Sequence, residues 1–147
     1  MTGNEITVRR EFAASVERVF AALTDPDELV QWWGPKGIST SEVEIDLRPG
    51  GACRWVMHPD GATAILRGTI VEVDPPHLVA MTNQWDGDDA ETMVTFRLLP
   101  IERGTRLEIH HRRLPTPPGP GEFADAWERA LDSLTGHLTD DTSKEST

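Results

Sequence analysis

The sequence predicts an α+β domain: a curved antiparallel sheet of seven strands wrapped round one long C-terminal helix, with two short helices between strands 1 and 2. Three observations carry this reading. From Ser39 to His111 apolar residues recur at period two, and turn signals cut the stretch every 8–15 residues, as in a meander rather than in βαβ units. Ahead of that stretch, one strand-like segment is followed by two short amphipathic segments joined end to end. Behind it, Ala124, Trp127, Leu131, Leu134 and Leu138 follow the 3, 4, 3, 4 spacing of one helix face.

The first strand is read over Glu5 to Phe12, with Ile6, Val8, Arg10 and Phe12 on one face, Arg10 being the polar exception. Ser15 serves as N-cap to a helix whose stripe is Val16, Val19, Phe20 and Leu23. Asp25-Pro26-Asp27-Glu28 opens a second helix, with Asp as cap and Pro at the first helical position; Gly34-Pro35 stops it. Val43, Ile45 and Leu47 are expected on one face of the second strand, before Arg48-Pro49-Gly50-Gly51 turns the chain. Cys53, Trp55 and Met57 share a face of the third, with Arg54, Val56 and His58 opposite. Pro59-Asp60-Gly61 reads as a hairpin turn whose glycine takes positive φ. Ala64–Val73 and His77–Trp85 are strands separated by Asp74-Pro75-Pro76, and Asp86-Gly87-Asp88-Asp89 is a turn. Val94, Phe96 and Leu98 alternate in the sixth strand, and Leu107, Ile109 and His111 share a face of the seventh. Leu114–Gly121, with four prolines and two glycines, is expected to be a loop leading into the final helix. Residues 1–138 are thus read as one domain, and 139–147 as a polar, disordered tail. This is the helix-grip layout. A bent sheet and a straight helix cannot touch along their whole length, so an apolar cavity is expected between them.

Composition narrows the function classes. The 147 residues suit one domain, and 14 basic against 25 acidic residues give a net charge of −11, which disfavours nucleic acid and anionic membrane surfaces as partners. No apolar run is long enough to insert into a membrane, and the N-terminus has no signal-peptide pattern. The single Cys53 fits a reducing, cytoplasmic setting. Five Trp and no Tyr favour a roomy core or lined pocket and remove the phenol as a catalytic acid.

Few residues offer chemistry. His110 and His111 are adjacent on a strand and point to opposite faces, and no HxH, HxxxH or CxxC spacing occurs, so no metal or other cofactor is expected. There is no Gly-x-Ser-x-Gly, and Gly50-Gly51 precedes no helix start, so it is a turn and not a phosphate loop. His111, on the inward face, is the one candidate acid or base; the alternative is a histidine satisfied by a backbone carbonyl. Trp32 and Trp33 point about 100° apart on a helix end, so one is expected in the core and the other at a cavity mouth. Trp55 and Met57 on the sheet, with Trp127 and Leu131 on the helix, would line the cavity if those faces oppose; plain core packing is the competing reading.

Ordered motifs add a resemblance. Val19-Phe20-Ala21-Ala22-Leu23-Thr24-Asp25-Pro26, Gln31-Trp32-Trp33-Gly34-Pro35, Asp46-Leu47-Arg48-Pro49-Gly50-Gly51, Glu72-Val73-Asp74-Pro75-Pro76 and Gly104-Thr105-Arg106-Leu107 occur in sequence. Together they resemble the SRPBCC (START/Bet v1-like) superfamily, in the branch similar to the C-terminal domain of the activator of Hsp90 ATPase. The likeness runs from about Ile6 to Leu138. It departs at Leu78–Trp85, where relatives often carry aromatics, leaving open whether Trp85 faces the cavity, and at Ala126, where a glycine often precedes the tryptophan of the last helix.

The resemblance implies a helix-grip fold with a cavity for a small hydrophobic molecule, and no single activity. The leading expectation is a carrier or sensor of the stress-response type, not an enzyme, with Trp32, Trp33, Trp55, Met57, Phe96, His111, Trp127 and Leu131 around the ligand. One alternative is a cyclase or dehydratase using His111 with Glu108 or Asp46. Another is a co-chaperone-like interaction domain, set back by the lack of the additional N-terminal domain that those activators carry. A homodimer through a sheet edge or an exposed Trp is open, since nothing in the sequence specifies it.

Overall fold

The period-two segments pair in chain order. A computed structural model describes residues 5–33, 38–59, 61–87, 91–114 and 120–145. Its strands are β1 (Ile6–Phe12), β2 (Ile38–Ile45), β3 (Ala52–Pro59), β4 (Ala64–Asp74), β5 (Leu78–Trp85), β6 (Glu91–Ile101) and β7 (Gly104–Arg112). They form one antiparallel sheet in the order β1-β7-β6-β5-β4-β3-β2, curled into a half-barrel. Strands β2 to β7 are a meander, and β1 closes onto the last of them with Val8 opposite Ile109. Helices α1 (Val16–Thr24) and α2 (Pro26–Trp32) lie between β1 and β2, and α3 (Pro120–Glu145) follows β7.

Local chemistry sets the helix boundaries. The Ser15 hydroxyl accepts from the Arg18 N–H at 3.1 Å, and the Asp25 carboxylate accepts from the Asp27 N–H at 2.9 Å. Asp25 both ends α1 and caps α2, which is why the two helices abut. Trp33 closes α2; the expected Gly34-Pro35 stop lies outside the described residues, as do Asp60 and Asp88-Asp89 of the two turns. Gly61 takes φ +79°, as its turn requires. The three helices are tied by one carboxylate: Glu28 Oε1 lies 2.7 Å from Arg18 Nη1 and 2.9 Å from His137 Nε2.

The concave face of the sheet carries the core. Val8, Phe12, Val43, Trp55, Leu66, Met81, Phe96, Leu107 and Ile109 are buried there against Leu131, Leu134 and Leu138 of α3. Each such side chain contributes about 1.5–3 kcal/mol of transfer free energy when fully buried. Arg10 takes its inward register at the β1 edge because α3 supplies its counter-charges: its guanidinium reaches Glu128 at 2.8 Å and Asp132 at 2.9 Å.

Three boundaries differ from expectation. Leu47 does not continue the Val43–Ile45 face; it is exposed, because β2 ends at Ile45 and the Arg48 N–H turns back to the Asp46 carbonyl at 2.8 Å. Helix α3 starts at Pro120, inside the expected loop, where a proline costs no helical hydrogen bond; residues 115–119 of that loop lie outside the described residues. At its other end α3 runs past Leu138 to Glu145, with the Thr139 hydroxyl donating to the Thr135 carbonyl at 2.8 Å.

Candidate functional site

Four separate elements send aromatic rings to one place. Trp33, at the end of α2, stacks on Trp55 of β3 with centroids 5.2 Å apart and planes at 23°. It meets Trp127 of α3 edge-on at 5.9 Å, and Phe96 of β6 meets the same Trp127 edge-on at 5.7 Å. Offset and edge-to-face geometries are those the ring quadrupoles favour. Trp32 stands behind this group: it is buried, and its indole N–H donates to the Ala22 carbonyl at 2.8 Å. Trp32 therefore anchors the core, while Trp33 is only half-buried. Met57 and Leu131 are buried in the same cluster.

His111 sits at the edge of the rings and is fully engaged. The Trp127 indole N–H donates to His111 Nδ1 at 3.0 Å, so Nδ1 carries no proton. The other nitrogen, Nε2, then holds the proton and donates to Thr92 Oγ1 at 2.7 Å; the Thr92 hydroxyl in turn donates to the Asn83 main-chain carbonyl at 3.4 Å. Phe123 packs edge-on to the imidazole at 5.3 Å. Burial, followed by the charge of neighbouring His110, pushes the His111 pKa down to about 4. A second ring proton would also point Nδ1–H at the Trp127 N–H, donor against donor. The imidazole is held neutral, as a structural link between β6, β7 and α3.

Two polar atoms on this face have no such link. The Trp55 indole Nε1 and the Asn83 side-chain oxygen Oδ1 are buried without a hydrogen-bonding partner among the described residues. A buried group left so costs about 1–3 kcal/mol.

The family model of the activator of Hsp90 ATPase homolog 1-like proteins matches residues 13–139, from the end of β1 through most of α3. The chain belongs to that family. Solved structures agree. A protein of Chromobacterium violaceum superposes with TM-score 0.85 at 28% identity, over 90% of this chain and 96% of the other. One from Rhodobacter sphaeroides gives 0.83 at 32%, over 95% and 94%. The AHSA1 protein of Silicibacter pomeroyi gives 0.81 at 30%, over 93% and 99%. No curated protein matches the chain. The fold of this AHSA1-like family generally binds hydrophobic ligands.

Within this AHSA1-like frame, all eight residues singled out from the sequence (Trp32, Trp33, Trp55, Met57, Phe96, His111, Trp127 and Leu131) lie on the concave side or on the helices that cover it. The partners suggested for His111 do not join it. Glu108 is on the outer face, bound to Arg9 at 3.0 Å, and Asp46 is exposed and bound to Arg48 at 2.8 Å. The acid/base set of the cyclase alternative is therefore not assembled. Trp85 takes the inward register opposite Leu66, yet at the strand end it remains 38% exposed. Cys53 is a buried thiol whose pKa burial pushes up to about 11, so it is not a nucleophile at neutral pH. Among the described residues no cluster of His, Cys, Asp and Glu could hold a metal, and no helix is long and apolar enough to cross a membrane. Thr92, Asn83 and Phe123 were missed, because they matter through partners on other elements.

Proposed function

We propose that the protein binds a small hydrophobic molecule between the concave face of the sheet and α3, acting as a carrier or sensor rather than by catalysis. One observation carries the reading: Trp33, Trp55, Phe96 and Trp127, drawn from four elements, converge on one apolar spot. A stable core does not require its largest rings gathered at one place, and aromatic walls suit a ligand that buries most of its surface. Trp33, the least enclosed of these rings, is where such a molecule enters or stacks. His111 supports the non-catalytic half of the reading, since both its nitrogens are spent on Trp127 and Thr92.

Intrinsic tryptophan fluorescence, titrated with a fatty acid, a steroid and an aromatic polyketide, tests this. The expected result is saturable quenching by at least one class, weakened at least tenfold in apparent affinity by Trp127→Phe, about 1.4 kcal/mol. An unchanged signal across the panel overturns the proposal.

A further inference from the structure

Among the described residues, only two buried side-chain polar atoms lack a hydrogen-bonding partner. Trp32, Trp127, His111 and Thr92 each have a named partner, and the Thr40 hydroxyl donates to the Trp33 carbonyl at 2.9 Å. Against that background stand Trp55 Nε1 and Asn83 Oδ1, in residues 1% and 6% exposed. One is a donor only and the other an acceptor only. Buried polar groups are satisfied in more than nine cases of ten or so, which makes a complementary pair of exceptions on one wall informative.

The two lie on the same concave face, Trp55 on β3 and Asn83 on β5, with β4 between them. The inward positions of β4 nearest the two are Leu66, Gly68 and Ile70, and Gly68, paired with Cys53, raises no side chain between them. Nor is there room for one: a Cβ at Gly68 would overlap the Thr82 carbonyl oxygen and press on Cys53 Sγ at 3.1 Å. Charge on this wall is equally telling. Arg10 is the only charged side chain among the described inward positions, and it is held by Glu128 and Asp132. A carboxylate or phosphate buried here would have no free cation to meet it.

Resting on the binding function proposed above, we infer that Trp55 Nε1 and Asn83 Oδ1 are the two polar anchor points of the site. Its ligand is an uncharged, mostly apolar molecule that offers an acceptor such as a ketone to the indole and a donor such as a hydroxyl to the amide oxygen.

Equilibrium dialysis with a naphthalene series separates this from plain apolar binding. The probes are 6-hydroxy-2-acetonaphthone (both groups), 2-acetonaphthone (ketone only), 2-ethylnaphthalene (neither) and 6-hydroxy-2-naphthoic acid (charged). The hydroxyketone is expected to bind about tenfold or more tighter than the hydrocarbon and the acid. Asn83→Leu should erase the preference of hydroxyketone over ketone with hydrocarbon binding retained, and Trp55→Phe, which also trims the aromatic wall, should weaken all probes but erase the preference of ketone over hydrocarbon. Equal binding of all four probes overturns the anchor points and leaves the apolar site standing; no binding by any overturns both.

Discussion

His110 and His111 are neighbours on β7 and occupy different media. His110 faces outward, 3.2 Å from Glu5, among the ion pairs Arg9–Glu108 and Arg106–Glu11. His111 faces inward, dry, between Trp127 and Thr92. Every strand divides its residues this way. The outer face is charged and carries a groove of about 540 Å³ lined by Arg97, Arg112, Val71 and Met93 among others; the inner face is apolar, and among the described residues its buried side-chain polar atoms are paired but for two. One sheet therefore presents a solvated surface and a ligand-type wall, and a one-residue step decides which side a group serves. Identical side chains should respond very differently to mutation on the two faces.

The largest contrast should come from Trp127→Ala. It removes the ring against Trp33, Phe96 and His111 and strips His111 Nδ1 of its donor, so a loss of about 3–5 kcal/mol in urea unfolding is expected. A loss below about 1 kcal/mol, the level of ordinary surface changes, would mean that the rings do not pack as described.

Next in size is a pH effect confined to one histidine. The folded His111 pKa is about 4 against an ordinary 6.5, so the unfolded chain binds the extra proton first. Stability from this group is fully present above pH 6.5 and falls as pH drops towards 4, by about 3 kcal/mol in all. Chemical unfolding of His111→Gln across that window should lose this slope relative to wild type, whereas His110→Gln should keep it. Equal slopes in both variants would contradict the neutral, buried imidazole.

How far the sequence reveals such a contrast depends on the range of the signal. Alternation placed Cys53, Trp55 and Met57 together and put His110 and His111 on opposite faces, because period two is written in adjacent residues. Asp25-Pro26 and the α3 stripe are equally local. Leu47 misled because parity says nothing about where a strand stops, and Trp85 stayed open for the same reason: the right face at a strand end is still half in water. The link from His111 to Thr92 and Asn83 was illegible, since it depends on β5, β6 and β7 pairing in one register (Val94 opposite both Met81 and His111). Unsatisfied atoms are harder still, because they are defined by what fails to arrive from every other element.

Smaller effects sharpen the comparison at its edge. Arg10→Leu breaks the pairs with Glu128 and Asp132, both more than half exposed, so a loss of about 1 kcal/mol or less is expected, shrinking further in high salt. Arg9→Leu on the outer face, where the arginine is 61% exposed, should change stability by no more than about 0.5 kcal/mol. A larger loss at Arg9 than at Arg10 would reverse the ranking of the two faces.

The most direct measurement is the set of five indole N–H cross-peaks in a ¹H–¹⁵N correlation spectrum, followed as a steroid, a fatty acid and an aromatic polyketide are added in turn. Binding on the concave side should move Trp33, Trp55 and Trp127 together in one saturable titration. Trp32, whose N–H is already held by the Ala22 carbonyl, and Trp85 on the rim should stay nearly still. Shifts confined to Trp85, or no shift at Trp33, Trp55 and Trp127 with any of the three, would contradict a ligand site between the sheet and α3.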